Sequence, residues 1–250
     1  MIRRTNRVIR LLALLLLSPI AGACLGADPA GGTVGPLPAG GYHVLFVGNS
    51  LTYTNDLPGT VADLAFRVGD TVRVGMVALP NFAVIDHVLG YSNAVDVVRA
   101  QPWDFVILQQ GPTTLAVNRD TLIIATKLFD PYVKSAGGKT AQLMTWPYSD
   151  ERQYFPDVRA SSQAAAASVE GGVFIPAGDA WRVALEEDPT LPLYGPDGYH
   201  PAYLGTYLAA LVVYEKLTGH DPRLLPGIAY VSGVNVGASE AVVRMLQRVA

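Results

Sequence analysis

Cysteine is nearly missing from this chain: of 250 residues only Cys24 carries a thiol, so no internal disulfide can brace the fold and a packed apolar core must do so. Charge is also sparse, at 16% of residues, with 18 basic side chains against 21 acidic ones. Beyond the first ten residues there is no arginine-rich stripe, which excludes the electrostatic footprint of a nucleic-acid binder. No His-Glu-x-x-His or Cys/His cluster offers a zinc site, and no Gly-x-Gly-x-x-Gly follows a strand pattern to cradle a dinucleotide. Acidic residues lack calcium-loop spacing, and the Gly-x-Ser-x-Gly elbow of the α/β-hydrolases is absent. Chemistry without metal or cofactor is what remains.

What is present begins with a leader. Arg3, Arg4, Arg7 and Arg10 precede an apolar run, Leu11 to Leu17, and the small residues Ala21-Gly22-Ala23. A cationic start, a short apolar stretch and a small-residue boundary describe a secretory signal over residues 1–23, too short to span a membrane. Two readings of the boundary compete. Ala21-x-Ala23 suits ordinary cleavage, while Ala21-Gly22-Ala23-Cys24 is an imperfect lipobox that would make Cys24 a lipidated N-terminus. The Gly/Pro/Ala-rich stretch that closes segment 24–41 reads as a flexible tether and favours the second. The expected location is therefore outside the cytoplasm: periplasmic, extracellular or held at the outer membrane. Removing the leader takes away four arginines and no acids, leaving a net charge of about −7.

Residues 42–250 are long enough for one α/β core and show no internal repeat. Short apolar runs at His43–Val47, Val72–Val77, Phe105–Leu108, Ala141–Thr145 and Val173–Ile175 predict strands. Helical periodicity appears at Leu57–Val68, Ala94–Ala100, Thr121–Ser135, Val158–Val169, Ala202–Thr218 and Ser239–Val249. Strands rich in Val, Ile and Leu on both faces, separated by helices, predict a parallel sheet covered on each side. Such sheets bind ligands beyond the carboxyl ends of their strands. Ser50 follows the first strand directly and so falls where a site is expected.

Near the other end of the chain, Asp197 stands three residues before His200 in a Pro/Gly-flanked loop. A serine hydroxyl is a poor nucleophile until a base takes its proton, and an aspartate can hold that base in the right tautomer. Ser50, His200 and Asp197 are thus the minimum set for acyl transfer. Each also has a plainer reading, Ser50 as a helix cap and Asp197 as an Asx-turn residue before Gly198. His43 reads as scaffold at the start of a strand, and His220 as a helix C-cap.

Gly48-Asn49-Ser50-Leu51 and Asp197-Gly198-Tyr199-His200 resemble the first and last blocks of the SGNH (GDSL-like) hydrolases, a Gly-Asp/Asn-Ser-aliphatic turn and Asp-x-x-His. The resemblance runs from about Tyr42 to Gly219. It implies a flavodoxin-like three-layer α/β/α sandwich with a central parallel sheet of about five strands, and a cofactor-free serine esterase acting through Ser50, His200 and Asp197. The family's second block has a glycine where this chain has Asn81, and Val84 and His87 continue that block's spacing. Its third block has Gly-x-Asn-Asp, where this chain has Gln109-Gln110-Gly111-Pro112. The resemblance therefore implies an oxyanion site built from the N–H groups of Ser50 and Asn81 and the side chain of Gln110 or Gln109. Asn49, Gln109, Trp146 and Tyr199 are candidate substrate contacts, with Tyr53 and Tyr148 near the mouth. The expected partner is a small ester or an acylated carbohydrate, with O-acetyl groups on sugar among the targets. Phosphodiesterase and thioesterase chemistry stay open within the enzyme class. The altered second and third blocks leave another class open, a surface carbohydrate-binding protein on the same fold without turnover.

Overall fold

The computed structural model describes Gly35 and residues 40–250. The leader at 1–23, the Cys24 lipidation site and most of the 24–41 tether lie outside the described residues. In chain order the elements are β1 (Tyr42–Gly48), α1 (Ser50–Tyr53), α2 (Leu57–Phe66), β2 (Val72–Ala78), α3 (Val84–Val88), α4 (Ala94–Ala100), β3 (Phe105–Leu108) and α5 (Ala116–Ser135). There follow β4 (Lys139–Leu143), α6 (Phe155–Ala167), β5 (Val173–Ile175), α7 (Ala177–Glu187), α8 (Tyr203–Thr218), a hairpin of β6 (Tyr230–Val231) and β7 (Val234–Asn235), and α9 (Glu240–Val249).

The first five strands form one parallel sheet in the order β2-β1-β3-β4-β5. The chain leaves β1 for one neighbour, β2, then returns to the other side for β3, so strand order reverses at β1. A crevice opens beyond the carboxyl ends at such a switch point. Register aligns Gly48 with Ala78 and Val47 with Leu108, which brings the ends of three strands to one edge.

Alternation along β1 divides the core. Val44 and Phe46 pack with α2, α7 and α8, while Leu45 and Val47 face the other layer with α3, α4 and α5. Both faces are apolar because both are covered, as the run of Val, Leu and Ile predicted. α8 lies deepest, with residues from Leu204 to Val213 buried all round, so its sequence lacks an amphipathic stripe.

The structure departs from the sequence reading in several places, the short α3 and the β6–β7 hairpin among them. β4 begins at Lys139 and ends at Leu143, so Thr145 lies beyond the strand. α5 starts at Ala116, five residues ahead of expectation, and holds Pro131 within it. α7 was not anticipated, although Ala177, Ala180, Trp181, Ala184 and Leu185 carry helical spacing and are all buried.

Candidate active site

β1, buried from Val44 onward, carries the chain to a turn that releases Ser50 as the first residue of α1. Asn49 makes that turn from an extended conformation, and its Oδ1 caps the Leu51 N–H at 3.1 Å. A knot of side chains fixes the turn from below. Gln109, 1% exposed at the end of β3, accepts from the Asn49 N–H (2.9 Å) and from the Thr52 hydroxyl (2.7 Å). Its Nε2 donates to Asn49 Oδ1 at 3.0 Å. Asn49 Nδ2 in turn donates to the Phe82 carbonyl at 2.9 Å, tying the turn to the loop after β2. Gly48 is required by crowding: a Cβ there would stand 2.4 Å from Gln109 Oε1 and 2.6 Å from Thr52 Oγ1.

His87 reaches the same turn from α3 and is wholly buried. Its Nε2 lies 2.9 Å from the Gly48 carbonyl and its Nδ1 2.7 Å from Ser92 Oγ. A carbonyl offers only lone pairs, so Nε2 carries the proton and Nδ1 accepts from the Ser92 hydroxyl. Burial pushes the His87 pKa down and keeps the ring neutral. His87 therefore supports the turn from behind and does not face a ligand.

Asp197 and His200 arrive on the loop between α7 and α8. Gly198 takes a left-handed conformation (φ 67), and the Asp197 carboxylate folds back on the loop. Oδ1 accepts from the N–H groups of Tyr199 (3.1 Å) and His200 (3.0 Å), which is an Asx turn. Oδ2 lies 2.5 Å from His200 Nδ1, and His200 Nε2 lies 2.8 Å from Ser50 Oγ. The hydrogen bond from His200, with help from those backbone N–H groups, lowers the Asp197 pKa from about 3.8 to about 2. An ionised Asp197 accepts the Nδ1 proton, which leaves the Nε2 lone pair facing the Ser50 hydroxyl. This arrangement can draw the serine proton to His200 and hold the resulting imidazolium.

Beside this chain of three groups lies a cavity of about 330 Å³. Asn49, Asn81, Gln110, Thr113, Asn118, Thr121 and Tyr199 give it polar walls, and Phe82, Ala83, Gly111 and Pro112 complete them. Among the described residues no charged side chain lines it. Asn81 adopts φ 62, a conformation open to glycine and, among other residues, most readily to Asn and Asp. An asparagine can thus stand in this backbone position without the glycine that the resemblance led one to expect. Gln110 lines the cavity but is engaged: Oε1 accepts from the Val84 N–H (3.2 Å) and Nε2 donates to Thr113 Oγ1 (2.8 Å). Tyr199 stacks on Tyr148 with ring centroids 4.4 Å apart and meets His200 edge-on.

Two candidates are corrected. Gln109 cannot touch substrate, because it is buried and its amide is consumed by Asn49 and Thr52. Trp146 is a core residue, 1% exposed and stacked 3.7 Å from Trp181, with its indole N–H on the Tyr199 carbonyl. Asn49 lines the cavity, yet its side chain is occupied in holding the turn. The sequence reading missed Asn118 and Thr121 at the start of α5, and Asn55 just after α1. A polar helix start beside an apolar face was the only local signal for the first two.

Among the described residues no cluster of His, Cys, Asp or Glu is placed to hold a metal ion, and no helix is long and apolar enough to cross a membrane. No protein-family model and no curated protein matches the chain. Solved structures do match. A DUF4886 family protein from Bacteroides uniformis superimposes with a TM-score of 0.71 at 18% identity, over 84% of this chain and 93% of that one. A provisionally assigned SGNH hydrolase from Slackia heliotrinireducens gives 0.57 at 25% identity, over 71% of this chain and 99% of that one. A family 3 carbohydrate esterase from Clostridium thermocellum gives 0.54 at 13% identity, over 71% and 95% of the two chains. With its five parallel strands between helical layers, the chain has the fold of the SGNH hydrolases.

Proposed function

We propose that this chain is an exported serine esterase that hydrolyses small carboxylic esters, with O-acetyl groups on carbohydrate as its targets. The observation that carries this reading is the unbroken line of hydrogen bonds from Ser50 Oγ through His200 to Asp197. In the proposed reaction Ser50 Oγ attacks the ester carbonyl as His200 Nε2 takes its proton, and Asp197 stabilises the imidazolium. The tetrahedral intermediate then expels the alcohol, which receives that proton from His200. Water, activated by the same nitrogen, releases the acid and restores Ser50. The oxyanion is received by the N–H groups of Ser50 and Asn81, at the cavity rim. In the first turn of α1 the Leu51 and Thr52 N–H groups are taken by Asn49, which leaves the Ser50 N–H for this task.

The cavity supports sugar as the alcohol: the amides of Asn81 and Asn118 and the Tyr199 hydroxyl on its walls suit a neutral, hydroxyl-rich ligand, and among the described residues no cation lines it to attract an acid. Residues 1–23 would direct export, with Cys24 as the site of lipid attachment. Gln110 favours a second reading, a carbohydrate-binding protein without turnover, because its Oε1 is held by the Val84 N–H and one of its own two N–H groups by Thr113, which ties the amide away from a dedicated oxyanion role.

Hydrolysis of p-nitrophenyl acetate by the protein and by Ser50→Ala separates the two. We expect clear activity that drops by at least about four orders of magnitude in the variant, and fluorophosphonate labelling of Ser50 alone. A folded wild type that is neither active nor labelled overturns the esterase and leaves the binding protein.

A further inference from the structure

The segment joining α1 to α2 is unusual. Asn55 and Asp56 follow one another with φ of 57 and 54, a left-handed pair with no glycine. Side chains other than glycine pay for that conformation, and it persists where surrounding contacts over-determine it. Asp56 has a local reason, its Oδ1 capping the Gly59 N–H at 3.0 Å, and its Oδ2 also receives the Ser232 hydroxyl at 3.1 Å. Asn55 has only distant ones. Its Nδ2 donates to the Pro201 carbonyl at 2.8 Å and lies 3.1 Å from Thr206 Oγ1 in α8.

Pro201 directly follows His200 and is buried. Its neighbours are pinned toward their own side of the loop: the His200 carbonyl accepts from the Gly195 N–H at 2.7 Å, and the Ala202 N–H donates to Leu193 O at 2.8 Å. Those bonds shape the loop but do not set its distance from Ser50. Among the hydrogen bonds of the described residues, two join the 50–55 segment to the 197–201 loop. One is the Ser50–His200 contact itself, and the other is Asn55 to Pro201.

We propose that Asn55 is a positioning residue that latches the His200 loop to the nucleophile's segment and so fixes the Ser50–His200 separation. The inference rests on the reading of Ser50 and His200 as nucleophile and base. The left-handed backbone at Asn55 turns its amide toward Pro201, and Thr206 holds the amide's rotamer. Without the latch both segments remain folded, each by its own bonds, but the hydroxyl and the imidazole no longer share one geometry. Misplacement of about 1 Å between reacting groups can cost on the order of a hundredfold in rate.

Two variants separate the hydrogen bond from backbone strain. Asn55→Gly accepts the positive φ and lacks the donor, whereas Asn55→Asp keeps the size and replaces the donor with an acceptor. Far below the melting temperature, both should label with fluorophosphonate and hydrolyse p-nitrophenyl acetate about ten- to a hundredfold more slowly, with KM within about twofold of wild type. In both, the downfield proton resonance of His200 Nδ1 should broaden or vanish. Labelling and kcat at wild-type levels in the folded variants, or a change confined to KM, would overturn the latch. If the wild type itself proves inert, the esterase reading falls, and the latch stands or falls on the His200 resonance alone.

Discussion

Asp197 divides its two oxygens between two tasks. Oδ1 shapes the loop through the Tyr199 and His200 N–H groups, and Oδ2 orients the His200 ring. The turn reading and the orienting reading that the sequence offered as rivals are both present in the geometry. Asp197→Asn keeps Oδ1 and the turn but sets an amide N–H against Nδ1, which favours the wrong tautomer. We expect it to lower kcat on the order of 10⁴-fold with little change in melting temperature. Because the Asp197 pKa is depressed to about 2, its carboxylate stays ionised from near pH 4 upward and gives way only as pH falls toward 2. Any loss of activity above pH 4 therefore belongs to another group. That Ser50, Asp197 and His200 would meet was legible because Gly48-Asn49-Ser50-Leu51 and Asp197-Gly198-Tyr199-His200 resemble two blocks of one family. Asn55 was not, since its partners lie 146 and 151 residues away and leave no local pattern.

The turn between β1 and α1 is the smallest element that has to be right. Gly48, Asn49, Thr52, Gln109 and His87 are packed on it without spare volume. Gly48→Ala should cost about 1–3 kcal/mol of stability, since the added methyl meets two side-chain oxygens at less than contact distance. The same change should slow fluorophosphonate labelling of Ser50, a rate that reports the turn's geometry independently of any sugar site. Trp146 shows where element-level reading failed. An aromatic at a strand's end can face the crevice or the core. β4 ends at Leu143, and the segment beyond it turns Trp146 inward onto Trp181 of α7, the one long helix the sequence reading omitted. Missing α7 and misplacing Trp146 were one error, because the partner that buries the indole had not been recognised.

At the scale of the molecule the sheet was the most legible feature. Doubly apolar strands demanded cover on both faces, and the switch in strand order then placed the crevice at β1. Stability carries a pH signature from the buried His87. Its folded pKa lies below the usual 6.5, so as pH falls below that value the unfolded chain takes up a proton that the folded one refuses. Urea unfolding should show stability declining from pH 7 to pH 5, by at most about 1.4 kcal/mol per pH unit, with a flatter profile in His87→Gln. The contact between Ser50 and His200 spans 150 residues. Ser50 and His200 are therefore strangers until the first strand and the loop before α8 occupy one structure. On the proposed esterase reading, regain of labelling after dilution from denaturant is then a clock for the docking of that loop on the Ser50 turn, and a nascent chain still short of His200 should not label.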